Sequence, residues 1–210
     1  SGSSFAFYGG TSKGVEKRTK VKTRIMASAL SELIGTAENV LIMGHQFADL
    51  DCLGSAVGMY KAVRQMGKPA AIVLNRQRNL AFPLYNRLAQ NGYADAFVEP
   101  DLAIDLIGKK TLLVVVDTHL PHILESREVY SACKTVAVID HHRKMVGHID
   151  NAVIFYHEPY ASSASEMVTE LVQYFGDHVK IGKMEAEALL SGIMLDTKNF
   201  VMKTGVRTFE

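Results

Sequence analysis

Four places in the chain set carboxylates and imidazoles where they could do chemistry together. His45, Asp49 and Asp51 form an H-x-x-x-D-x-D series. Asp117 closes the apolar run TLLVVV and is followed by Thr118 and His119. Asp140, His141 and His142 close TVAVI, and Asp196 closes the apolar stretch Leu189–Leu195. Taken singly, each has an ordinary explanation. An Asp after a strand or at a helix end is commonly a turn residue or a cap. Asp49 and Asp51 could simply open a helix, where negative charge suits the dipole. Taken together they point elsewhere, because gathered carboxylates repel and must protonate unless cations intervene. Oxygen-rich sites with some imidazole suit Mn²⁺, with Mg²⁺ or Co²⁺ as alternatives, and the absence of thiolates argues against structural zinc. Six ligands with one shared carboxylate suffice for two ions about 3.5–4 Å apart. Such a pair acidifies a water between them and clamps phosphoryl oxygens during in-line attack.

The surrounding pattern says how these groups are positioned. VLIMG (40–44), AAIVL (70–74), TLLVVVD (111–117), TVAVID (135–140) and AVIFY (152–156) read as short, largely buried strands. Helical patterns lie between and after them, at about 50–66, 79–90, 163–175 and 183–194. This alternation predicts an α/β domain with a parallel, Rossmann-like sheet and helices on both faces. Ligands bind such sheets at the carboxyl ends of the strands, which is where these segments deliver their Asp and His residues. Gly54 and Gly58, four apart in the second predicted helix, imply close packing against the sheet. Ser162, Ser163 and Ser165 with Glu166 read as a capping box, with a phosphate at that helix start as the alternative. His119, His122, His148, His157 and His178 read as surface or turn residues.

Residues 1–12 (SGSSFAFYGGTS) read as a linker. A basic stretch follows, from Lys13 to Arg24, opposed only by Glu16. Within it, Val21, Ile25, Ala29 and Leu33 predict an amphipathic helix to about Ile34, its basic side either solvated or a connector to an anionic surface or another domain. The expected organisation is a connector over 1–36 and one catalytic domain over 37–210. The chain has 210 residues, 48% hydrophobic and 21% charged, which excludes a disordered or collagen-like protein. A net charge of +1 argues against broad capture of long nucleic acid. Cys52 and Cys133 lack metal-type spacing and cannot form a disulfide scaffold. No apolar run reaches the roughly 20 residues of a membrane span, and no export leader is expected.

The full motif series resembles that of the DHH phosphoesterases: H-x-x-x-D-x-D, V-V-V-D-T-H, D-H-H and a distal L-D-T. Within them the chain is similar to the membrane-anchored cyclic-di-AMP phosphodiesterases of the GdpP/YybT type. The similarity is carried by FYGG (7–10), VEKRTKVKTR (15–24), DTHLP (117–121), VIDHHR (138–143), EPYASSASE (158–166) and LDTKNF (195–200). The resemblance implies hydrolysis of cyclic-di-AMP to linear pApA with two metal ions. It implies one ion on His45, Asp49 and Asp117, and a second on Asp51, Asp117, His141 and Asp196. His142 would face the substrate phosphate, and Asp140 would orient an imidazole. Arg143 would either reach a phosphate or stay solvated. The family's C-terminal nucleotide-binding domain, transmembrane helices, sensor and degenerate cyclase-like domain have no counterpart in this sequence. The resemblance therefore implies a cytoplasmic part of a bacterial membrane protein, with a cyclic dinucleotide as partner and no membrane contact of its own. Pairing of connector helices into a homodimer stays open. The rival readings are an oligoribonuclease or pAp phosphatase, a pyrophosphatase, and a nucleotide-sensing module without turnover.

Overall fold

Continuous runs of Val, Ile and Leu favour strands buried on both faces, and here they build one parallel sheet. The computed structural model describes the backbone of residues 5–197 and the side chains of 17–195. The strands are β1 (Asn39–Met43), β2 (Ala70–Val73), β3 (Phe97–Val98), β4 (Thr111–Val116), β5 (Thr135–Asp140) and β6 (Ile154–His157). They lie in the order β3-β2-β1-β4-β5-β6, every pair parallel. Side chains alternate between the faces. Val40, Ile42, Leu112, Val114, Ala137, Ile139 and Tyr156 point one way, and Leu41, Met43, Leu113, Val115 and Val138 the other.

The first face carries most of the cover. It packs α1 (Phe5–Thr36), α2 (Leu50–Gln65), α3 (Phe82–Leu88), α6 (Ala164–Val172) and α7 (Lys183–Thr197) through residues such as Leu30, Leu53, Leu88, Val168 and Leu189. The second face is closed by two short helices, α4 (Pro100–Ala103) and α5 (Arg127–Ala132), through Ala103 and Val129. The predicted α/β sheet with helices on both faces is therefore present. β3, α4 and α5 are additions, each too short to show a sequence period. No helix among the described residues is long and apolar enough to cross a membrane.

Two expectations for the N-terminal region are corrected. Residues 5–12 are helical rather than a linker, since α1 starts at Phe5. A helix already nucleated gains a hydrogen bond per added residue, and Gly9 and Gly10, at about 1 kcal/mol each, do not stop it. The buried stripe of α1 is also not the predicted one. Val21 and Ile25 are 49% and 61% exposed, while Thr23, Ala27, Leu30 and Ile34 are buried. A strict i, i+4 series drifts about 40° per step around the helix, whereas steps of four, three and four return to one face. Buried Thr23 is satisfied by the Tyr156 hydroxyl at 2.8 Å.

The close approach expected of the glycines is present, but its partners are helices rather than the sheet. A Cβ on Gly54 would lie 2.3 Å from the Ala188 carbonyl oxygen, and one on Gly58 would lie 2.8 Å from Leu189 Cδ2. A Cβ on Gly192 would lie 2.9 Å from Asp51 Cα. These contacts run α2 and α7 antiparallel, so the last turn of α7 reaches the carboxyl edge of the sheet. Gly54→Ala is expected to destabilise the fold by about 1–3 kcal/mol. A lowered urea midpoint with an unchanged slope would show this, and an unchanged midpoint would contradict it.

Candidate metal centre

The strand order reverses between β1 and β4, and the chains leaving these two strands diverge around a crevice. His45 follows β1 there and Asp117 follows β4. His45 is pinned by an antiparallel bridge to Leu124 and by Gln46 N–H donating to the Ile123 carbonyl at 2.7 Å. Its Nδ1 lies 2.7 Å from the Gln46 carbonyl oxygen. A carbonyl can only accept, so Nδ1 carries a hydrogen and Nε2 turns inward. Nε2 lies 3.3 Å from Asp117 Oδ2 and 3.6 Å from Asp49 Oδ1.

Asp49 and Asp51 do start a helix, as the ordinary explanation has it, and they also face the crevice. Asp49 caps α2 by accepting from Cys52 N–H at 2.9 Å. Asp51 is fully buried and accepts from Ala164 N–H at 2.9 Å and Ser165 N–H at 2.8 Å. Its carboxylate, rather than a phosphate, thus occupies the N-terminus of α6. The capping box is present beside it: Ser163 Oγ accepts from Glu166 N–H, and Glu166 Oε2 accepts from Ser162 N–H.

Asp117 turns into the crevice in the left-handed region, with φ of 62°. That conformation is rare outside glycine, though Asp tolerates it better than most, and such strain collects at functional sites. Asp117 is 2% exposed, and its Oδ1 has no hydrogen-bond donor among the described residues. Oδ1 lies 3.3 Å from His141 Nε2, which is itself 3.6 Å from Asp51 Oδ2. The result is a row, Asp49–His45–Asp117–His141–Asp51, with Asp117 at its centre.

Asp140 stands behind this row. Its Oδ1 accepts from His141 N–H at 2.9 Å and from His142 Nδ1 at 2.7 Å, and its Oδ2 accepts from His119 Nδ1. Both oxygens are engaged, so Asp140 orients imidazoles. His142, 53% exposed at its side chain, is left with Nε2 for a ligand. Arg143 is exposed on the following loop.

Two histidines expected at the surface or in turns belong to this support. His119 is 1% exposed, and its Nε2 accepts from Met145 N–H at 3.0 Å. His157 is half-buried and donates through Nε2 to the His142 carbonyl. The sequence offered one signal for His119, its position two residues after Asp117, and none for His157. His122 and His178 are exposed as expected. His119→Phe keeps the ring but strands Asp140 Oδ2 and Met145 N–H, at a cost of about 1–3 kcal/mol each. Thermal unfolding checks this, and an unchanged midpoint would contradict it.

The electrostatics fit bound cations. Burial alone would lower the basicity of His45, but hydrogen bonds to Asp117 and then Asp49 outweigh it and push its pKa up to about 11. Burial would raise Asp49, yet His45 and the Cys52 N–H hold it below the usual carboxylate range. Asp140 is likewise carried down to about 2 against its burial by His142 and His119. Its hydrogen bond raises His142. Protons on imidazole thus balance a surplus of carboxylate charge that divalent cations could balance instead. His45, Asp49 and Asp117 could hold one ion, and Asp51, Asp117 and His141 a second. Cys52 lies within 4.8 Å of His45 and Asp117, but burial raises its pKa and keeps it a thiol. Asp196 falls in the last turn of α7, one turn beyond the Gly192 contact with Asp51. Its side chain lies outside the described residues.

A pocket of about 250 Å³ adjoins the row, with His45, Asp117 and His142 on its polar side and Leu120, Ile123 and Met145 on its apolar side. A parallel α/β sheet carrying this Asp and His constellation at its switch point defines a family. Residues 39–193 match the DHH family, N-terminal domain, and the chain belongs to that family. Among individual proteins, it is 43% identical over 208 residues to the cyclic-di-AMP phosphodiesterase GdpP of Geobacillus thermodenitrificans. It is 40% identical over 209 residues to the cyclic-di-AMP phosphodiesterase PdeA of Listeria monocytogenes. Each alignment takes in 97% of this chain and 32% of the relative, so the chain spans about a third of their length. An exopolyphosphatase-related protein from Bacteroides fragilis shares the fold, with a TM-score of 0.72 and 21% identity over 88% of this chain and 54% of its own.

Proposed function

We propose that this chain is the metal-bearing part of a phosphodiesterase that hydrolyses cyclic-di-AMP to linear pApA. The observation that carries the reading is Asp117, buried in a strained conformation between two imidazole–carboxylate pairs. The named activity of relatives at about 40% identity supports the substrate. The apolar wall of Leu120, Ile123 and Met145 suits a nucleoside, a group that pyrophosphate lacks. We take residues 37–210 as the catalytic unit and 1–36 as its connector. Family resemblance supports Mn²⁺ as the ion and a cytoplasmic position in a membrane-anchored parent.

Two divalent ions held by His45, Asp49, Asp51, Asp117, His141 and Asp196 would supply an acidified water and a clamp on the phosphoryl oxygens. The rest falls to the chain itself. His142, whose basicity Asp140 raises, would bring positive charge to the phosphate through Nε2. As water attacks phosphorus, the bond to the ribose 3′ oxygen breaks. The Nε2 proton passes to that leaving oxygen, giving a free 3′ hydroxyl and a 5′ phosphate. The apolar wall holds the base and excludes water from one side of the phosphate.

The test compares turnover of cyclic-di-AMP, pApA and pyrophosphate by the intact protein, with Mn²⁺ and with chelator. Cyclic-di-AMP turned over fastest, and only with the ion, is the expected result. Faster pyrophosphate cleavage, or tight nucleotide binding without product, would overturn the reading.

A further inference from the structure

We propose that His157 is a positioning residue for His142, and that the connector helix α1 secures it through Lys22. The proposal rests on the reading that His142 faces the substrate phosphate. Among the described residues β6 lies at the edge of the sheet and pairs with β5, in a register that sets His157 beside Asp140. Residues alternate along it. Ile154 and Tyr156 enter the core of the first face, whereas Phe155 packs against the core of the second face beneath Lys144, and His157 reaches the loop that carries His142.

That loop, residues 142–147, is exposed and has no ladder to hold it. Contacts with β6, together with the Met145 N–H bond to His119, stand in for one. Lys144 Nζ sits 5.1 Å from the centre of the Phe155 ring, and the His157 imidazole donates from Nε2 to the His142 carbonyl oxygen. His142 is therefore held at two points, its Nδ1 by Asp140 and its backbone by His157. These two bonds restrict where Nε2 can aim. His157 engages the His142 backbone rather than the wall of the pocket, so its role is orientation.

The outer edge of β6 is covered by α1. Lys22 Nζ donates to the His157 carbonyl oxygen at 2.8 Å and lies 3.7 Å from Glu158 Oε2. The Glu158 N–H donates to the Asp140 carbonyl at 3.1 Å. A continuous path thus runs from α1 through β6 to the D-H-H segment.

His157→Ala in the intact protein is expected to lower kcat about 10–100-fold, the usual effect of removing a supporting partner. KM and the stoichiometry of bound Mn²⁺ should stay within twofold. His157→Gln, whose side-chain N–H can reach the same carbonyl, should restore most of kcat, and Lys22→Met should give a smaller loss in the same direction. Imidazole ¹⁵N NMR reads the geometry without turnover: the His142 signals should shift or broaden in His157→Ala and return in His157→Gln. This readout separates the positioning role from the substrate assignment, since it applies even if cyclic-di-AMP is not cleaved. A His142 spectrum unchanged by His157→Ala, or a folded His157→Gln no better than Ala, would overturn the proposal. So would loss of Mn²⁺ in parallel with kcat.

Discussion

Asp117→Asn is expected to lower cation-dependent turnover by about 10³-fold or more. Metal sites of this type supply several kcal/mol of transition-state stabilisation, and about 1.4 kcal/mol is a factor of ten. Asn keeps the size of Asp and its tolerance of the left-handed backbone, so the variant isolates charge. An amide cannot serve both imidazole–carboxylate pairs as a shared anionic ligand. Folding should respond too. Without ions, Asp117 is the anionic partner of His45 and His141, with one oxygen unsatisfied among the described residues. Losing that charge should lower the melting temperature of the ion-free protein, because His45 holds its proton through Asp117. Wild-type protein should gain about 2.7 kcal/mol of stability at Mn²⁺ concentrations a hundredfold above Kd, and the variant should gain far less. Thermal unfolding with and without Mn²⁺ measures both. A variant stabilised by Mn²⁺ as strongly as wild type would show that Asp117 is not the shared ligand.

Loss of Asp51 should cost the fold more, because its carboxylate caps a helix as well as facing the site. It accepts two backbone N–H groups at the start of α6 while facing His141. Asp51→Ala strands both buried donors, each worth about 1–3 kcal/mol, and so removes about 2–6 kcal/mol of stability. Asp51→Asn keeps one acceptor oxygen and should fall between Ala and wild type. Both variants should lose the ion on the His141 side. Urea unfolding and metal stoichiometry, measured on the same samples, separate the two roles. An Asp51→Ala protein as stable as wild type would contradict the bond to α6. An Asn variant that still binds two ions would remove Asp51 from the ligand set.

The contrast between these two aspartates shows where sequence reading stops. Both sit in the same motif series, and spacing marks both as ligand candidates. Only the packing of α6 against the start of α2 tells that Asp51 also holds a helix end. Asp140 was legible as an orienting carboxylate because the resemblance places it before two histidines. Its partner His119 was not, since a residue after a strand reads as a turn and only the third dimension buries it.

By itself, the sequence determined a parallel sheet, five of its six strands and the Asp and His candidates that follow them in the chain, because these follow from local chemistry. β-branched runs make strands, apolar periods make helices, and a parallel sheet puts whatever follows its strands on one edge. Only the tertiary structure decided which face of α1 is buried, where the glycines of α2 make contact, and how His157 reaches His142. Those depend on the rotation of helices and the register of an edge strand, which neighbouring residues in the chain do not set.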